Sequence, residues 1–245
     1  MATESELAAL EASLLARDAL RQFRAVLELD RLADPPEEML VRIHTALRPR
    51  SWARPHVVSA FERSAAAAAD TAAGDEIVLA ALHASGPGSD DLIASAVGAL
   101  AKRWGVGASA ELDALLRARG SWGSKHSAVC ALAAVGDDRS WEPVFERLLR
   151  HLKKAPPEDP PELILQISYL MRHAGSDPAR ADRVRTALRN AGPALHVERH
   201  QAKAVTWLGE VWPGLFVGDP AIPAPDVFER FLDDDPWVKR LRSRG

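Results

Sequence analysis

Four arginines in this chain each follow a hydrophobic pair: Ala46-Leu47-Arg48, Leu115-Leu116-Arg117, Leu148-Leu149-Arg150 and Ala187-Leu188-Arg189. A guanidinium presents a planar fork of donors, so a row of them is chemistry for carboxylates or phosphates. If the last three occupy equivalent positions in successive helices, they form a ladder. A cation in the last turn of a helix is also favourable against the macrodipole by about 0.3–1 kcal/mol with no ligand present, and both explanations stand at this level. Of the 31 basic residues, 25 are Arg and six are Lys. Arginine is thus the default cation here, and each one weighs less as a sign of anion binding.

The other residues able to do chemistry are few. His196 and His200 have the i, i+4 spacing at which two imidazoles share a metal. Val197-Glu198-Arg199 intervenes, so the metalloprotease pattern is absent and no third ligand stands nearby; no metal site is expected. Trp52 in Arg50-Ser51-Trp52-Ala53-Arg54 and Trp122 in Gly120-Ser121-Trp122-Gly123 fall in predicted turns. There they would either anchor a partner or fold back over helix ends as plugs. The acidic pairs Asp90-Asp91 and Asp137-Asp138 precede helices, where capping explains them. No phosphate-cradling glycine loop, nucleophile elbow or Cys and His arrangement with recognisable context is present, so no catalytic residue and no cofactor are expected.

Composition narrows the class. The 245 residues carry a net charge of −3 and one cysteine, Cys130, which excludes an intramolecular disulfide and a cysteine-rich zinc site. Residues 1–100 hold 9 Arg against 15 acids, a balance of −6, which leaves +3 for 101–245. The start, Met1-Ala2-Thr3-Glu4-Ser5-Glu6, is acidic where a secretory signal is basic and apolar. No stretch has the length of a membrane span. A soluble cytoplasmic protein without a membrane partner is expected.

These residues must be positioned by helices. Asp34-Pro35-Pro36-Glu37, Asp159-Pro160-Pro161-Glu162 and Asp177-Pro178 read as capped helix starts, and Gly86, Gly105, Gly120, Gly136, Gly175 and Gly192 as stops. The pattern predicts one long helix over about 4–33, then helices near 36–48, 55–72, 75–86, 90–105, 109–119, 124–136, 140–154, 161–174, 178–191 and 196–212. A Pro-rich linker over 213–225, a short amphipathic capping piece over 226–232 and a frayed basic tail follow.

Two of these helices repeat. Ser95-Ala96-Val97-Gly98-Ala99-Leu100-Ala101 recurs 32 residues later as Ser127-Ala128-Val129-Cys130-Ala131-Leu132-Ala133, each followed by a Leu-Leu-Arg helix. A period in the thirties means stacked helical hairpins. Ala128-Val129, Ala131-Leu132, Val135-Gly136-Asp137-Asp138 and Pro143-Val144 before Leu148-Leu149 resemble a HEAT repeat. Residues 95–120, 161–191 and 202–212 match it in part. The resemblance implies an all-α fold, a right-handed α–α superhelix in a single domain. It divides the chain into degenerate N-terminal helices (1–74), HEAT-like hairpins (75–212) and a linker with capping helix and tail (213–245).

In that family second helices line the concave face. The resemblance therefore implies that Arg117, Arg147, Arg150, Arg185 and Arg189, helped by Lys153 and Lys154, make a basic stripe for another protein with an acidic surface or, as the less favoured partner, nucleic acid. It points to a non-enzymatic scaffold, adaptor or regulator, such as a bacterial accessory protein. An alternative comes from alkylpurine DNA glycosylases, built from HEAT-like repeats, whose family pattern implies a catalytic Asp framed by aromatics. Asp113, with Trp104 and Trp141, is the nearest set here.

Overall fold

Helix propensity does not carry the N-terminal run through as one helix. The computed structural model describes residues 2–47, 51–67, 72–84, 88–153, 162–175, 177–197, 202–218 and 220–242, with the backbone alone at 65–67 and 193–197. In it the run breaks into α1 (Glu4–Leu14) and α2 (Ala19–Arg31). Thr3 and Glu6 form a capping box that opens α1. Asp18 then accepts a hydrogen bond from the Arg21 amide at 2.8 Å, which opens α2. α2 turns back along α1, and the Gln22 amide donates to the Leu14 carbonyl at 2.8 Å.

By packing, the chain falls into two compact units, Met1–Arg103 and Trp104–Gly245. In the first, α3 (Glu37–Ala46) lies against α1, α4 (Arg54–Ala67) and α5 (Ala72–Leu82), while α4 also meets α2; α6 (Ser89–Trp104) ends the unit. Leu14, Leu29, Leu40, Ile43, Val57 and Phe61 are fully buried between them. Polar side chains fix the register of these helices. Arg42 on α3 donates to both carboxylate oxygens of Glu11 on α1 at 3.0 and 3.1 Å, and Ser64 on α4 donates to the Pro35 carbonyl at 3.0 Å. Asp34 does not cap α3. The cap position is Pro36, which has no side-chain acceptor to offer, and Glu37 is buried instead.

The second unit holds α7 (Ser109–Arg117), α8 (Trp122–Val135), α9 (Trp141–Lys153), α10 (Glu162–Ala174), α11 (Pro178–Val197), α12 (Ala202–Val211), α13 (Pro225–Asp234) and α14 (Pro236–Arg242). Among the described residues every regular element is helical. The order helix, 3-10 turn, helix occurs twice, as α6, Gly105–Ala108, α7 and as α8, Asp138–Ser140, α9. The repeated heptapeptides bury corresponding residues: Ala96, Val97 and Leu100 in one, Ala128, Val129 and Leu132 in the other. At the centre lies α10, whose run from Leu163 to Met171 is buried on all sides because α8, α9, α11 and α13 surround it.

The C-terminal stretch differs from the sequence expectation. α13 packs on α10 and places Phe228 against Trp207 and Trp212 at 6.1 and 6.3 Å. The tail is not frayed through Arg242: it forms α14, against α8. Asp235 accepts from the Trp237 and Val238 amides at 2.9 and 3.0 Å, and Val238 and Leu241 are buried. Arg242 donates to the Ala134 and Ala133 carbonyls at 3.1 and 3.4 Å, covering acceptors that the end of α8 leaves open. Among the glycines, Gly105 and Gly175 do take left-handed conformations. Gly192 does not end a helix. α11 runs through it to Val197, and a Cβ there would stand 3.0 Å from the Phe216 ring, so glycine is what lets that ring approach.

Candidate functional site

α2 carries apolar residues on an exposed face as well as on its buried one. Ala25, Val26 and Leu29 are buried in the first unit, while Leu20, Phe23 and Leu27 are 61, 49 and 43% exposed. At 3.6 residues per turn the exposed three fall within about 60° of each other, with Ala25 and Leu29 about 120–180° away and Val26 about 60° from Phe23. Trp52, 42% exposed in the turn before α4, extends the strip: its ring lies 5.8 Å from Phe23 and 6.5 Å from His56. His56 Nδ1 is in turn 3.2 Å from Asp30 on α2, which ties the two elements together. Beside the strip is a cleft of about 400 Å³ lined by Ser13, Asp18, Leu20, Arg21, Arg24, Ala25 and Glu28. The sequence marked Trp52. It did not mark Leu20, Phe23 and Leu27, because the missed break at Ala16-Arg17-Asp18 hid which face of α2 is inward.

The arginines of the second unit divide by what they touch. Arg117 and Arg150 are exposed at the ends of α7 and α9, and Arg189 is exposed on α11. Arg189 is not in a last turn, since α11 continues to Val197, so the macrodipole does not account for it. Arg185 is paired with Asp182. Arg147 is turned inward, its side chain 11% exposed, and donates to Glu162. The residue that closes the end of α7 is one the sequence reading did not single out: Lys125 Nζ donates to the Leu116 and Ala118 carbonyls at 3.3 and 2.7 Å. Burial lowers its pKa, and the nearby Arg150 and Arg147 lower it further. Arg48, His200 and Lys154 lie outside the described residues, as does the side chain of His196. No group of three metal-ligating side chains occurs among the described residues.

Glu162 does open α10, as the Asp159-Pro160-Pro161-Glu162 pattern predicts, and it is fully buried. Arg147 Nε and Nη2 donate to its two oxygens at 2.9 and 3.3 Å, and the Gln166 amide donates at 2.6 Å. His126 Nδ1 stands 3.5 Å from the same carboxylate, and His126 Nε2 stands 3.5 Å from Cys130 Sγ. Thiol, imidazole and carboxylate thus follow one another, but the arrangement is not a nucleophile. Burial pushes the Cys130 thiol far up, and an inaccessible protonated thiol neither attacks nor oxidises readily. Trp122 is the first residue of α8, not a free loop aromatic, and stacks on His126 at 5.1 Å with the planes 10° apart.

Asp113 sits half-buried on α7, and burial raises its pKa despite Ser140 and Arg117. Trp141 gives it no aromatic frame for a base: that ring is 1% exposed, and its indole N–H donates to the Leu170 carbonyl at 3.0 Å. Nearby, the Tyr169 hydroxyl donates to the Asp137 carbonyl, and its ring lies 4.5 Å from that of His173. Burial, then Arg172, brings the His173 pKa down to about 4. The unfolded chain, with an ordinary histidine, binds the extra proton between about pH 6.5 and 4. This contribution to stability is therefore full above that window and lost as pH falls through it. In urea titrations across the window, His173→Gln is expected to flatten the decline; an unchanged slope would remove His173 as its source.

No family model matches the chain, and no curated protein matches it. Among the described residues, no helix is long and apolar enough to cross a membrane.

Proposed function

We propose that this chain is a non-enzymatic protein-binding module, a HEAT-like helical scaffold that holds a partner protein. The carrying observation is the exposed strip of Leu20, Phe23 and Leu27 on α2, a helix that already buries another face, extended by Trp52 from the turn before α4. Scattered exposed apolar residues are ordinary, but a contiguous strip containing two aromatics is the composition of a binding hot spot. The twice-used order of helix, 3-10 turn and helix, with matching burial in the two heptapeptides, supports the repeat reading. Arg117 and Arg150 supply exposed cations for a second, basic contact surface on the other unit.

The test is capture from the native host with tagged protein, with and without nuclease. A partner protein is expected to survive nuclease and to be reduced about thirtyfold or more by Phe23→Asp, the size of a hot-spot loss. Because Phe23 is exposed, its variant is expected to melt like the parent. Equal capture by Phe23→Asp, or nucleic acid alone in the eluate, would sink the reading.

A further inference from the structure

We infer that the partner of the α2 face is an amphipathic helix whose apolar stripe is bordered by acidic residues. The inference rests on the protein-binding reading and adds the chemistry of the occupant. Two observations carry it. The first is shape: Leu20 and Leu27 are seven residues apart on one helical face, a span of about 10 Å. Phe23 lies between them, and Trp52 stands beside Phe23. That is a two-turn apolar strip with an aromatic wall, matched by a helix presenting side chains at i, i+3 or i+4, and i+7.

The second is charge. Four of the nine arginines before residue 100 fall between residues 17 and 31, against Asp18, Glu28 and Asp30 there, while residues 1–100 as a whole are acidic. On the helical wheel Arg24 and Arg31 border the strip on one side, with Arg17 just before the helix. Among the described residues none of these three has a carboxylate within 4.0 Å, whereas Arg42, Arg147 and Arg183 each have a close acidic partner. Arg21 and Arg24 also line the adjoining cleft, together with Asp18 and Glu28. The opposite border is different: Asp30 is held by His56. A strip with a basic margin on one side only fixes the direction and the charge of an incoming helix. An anionic bilayer would suit the arginines, but it would also face Asp18, Glu28 and Asp30, which a helix of limited width avoids.

The experiment uses the full chain and two synthetic helical peptides of about 18 residues, long enough to hold some helix in water. They share one leucine stripe and carry Glu or Lys flanks, and binding is followed by anisotropy. The Glu-flanked peptide is expected to bind, to weaken as salt rises, to lose about tenfold with Arg24→Glu plus Arg31→Glu, and to be lost with Phe23→Asp. The charge-reversed protein is expected to prefer the Lys-flanked peptide, an exchange that a damaged fold would not produce. Equal binding of both peptides to the parent protein overturns the acidic partner. Failure of both peptides, with capture from the host still sensitive to Phe23→Asp, overturns the helical partner and leaves the protein-binding reading standing. If that capture is also insensitive, the reading falls with it. Two further results overturn the inference by naming another occupant. One is a Phe23-dependent dimer in sedimentation; the other is Phe23-dependent binding to phosphatidylserine vesicles but not to the peptides.

Discussion

Glu162→Leu is expected to destabilise the second unit by about 3–5 kcal/mol, the cost of leaving a buried charge without its partner. Arg147 is the charge in question. Its side chain is 11% exposed and Glu162 is the carboxylate it meets, with no exposure of its own. Removing the acid also strips the Gln166 amide of its acceptor. Arg147→Met is expected to cost a similar amount for the converse reason, a carboxylate left in the interior. The double variant Glu162→Leu with Arg147→Met removes both desolvation costs and is expected to be more stable than either single change. A thermodynamic cycle from urea unfolding measures that coupling. Additive losses would show that α9 and α10 are held by their apolar contacts and that the ion pair is incidental.

The same pair predicts an acid response that differs between parent and variant. Burial alone would raise the Glu162 pKa, but His126 and Arg147 outweigh it and hold the carboxyl below its ordinary value. The parent therefore keeps this stabilisation above the ordinary carboxylate range and loses it as pH falls through the depressed folded value. In Arg147→Met burial and His126 remain but the guanidinium is gone, so the folded pKa rises from its value in the parent. Its deficit relative to the parent is expected to shrink on acidification.

The chain's helical character was legible because its signals are local. Asp177 before Pro178 does cap α11, accepting from the Ala179 amide at 3.0 Å, and Gly105 and Gly175 do mark helix ends by their backbone conformation. The break after Leu14 was not legible, since nothing in Leu15-Ala16-Arg17 forbids helix and only the packing of α2 against α1 makes Asp18 a cap. The tail was misjudged for a related reason. Val238 and Leu241 are too few to suggest a helix until α8 offers them a surface and open carbonyls for Arg242. Site residues divide the same way. Trp52 showed through because a turn tryptophan lacks a local reason to be there. Arg147 looked like one more surface arginine, because its partner Glu162 lies 15 residues away on another helix, where spacing carries no information.

Trp141→Ala is expected to cost about 3–5 kcal/mol, the range for emptying a large aromatic site. The ring is 1% exposed and does several things at once. It stacks on Phe145 at 4.9 Å, and its N–H satisfies the Leu170 carbonyl on α10, joining α9 to the central helix. Its outer face carries the Arg183 guanidinium 4.8 Å from the centroid, held there by both oxygens of Glu142 at 2.6 and 2.9 Å. Alanine removes the packing, takes away the carbonyl's side-chain donor and leaves the arginine over a void. Trp141→Phe separates these effects: it keeps most of the ring and loses the hydrogen bond, so a loss of about 0.5–1.5 kcal/mol is expected, the net worth of one hydrogen bond to a carbonyl that keeps its helical partner. The check is the urea midpoint of both variants with the slope unchanged. A Phe variant as damaging as the Ala variant would place the stabilisation in the Leu170 hydrogen bond and not in the packed ring; a Phe variant as stable as the parent would mean that water replaces the N–H at that carbonyl.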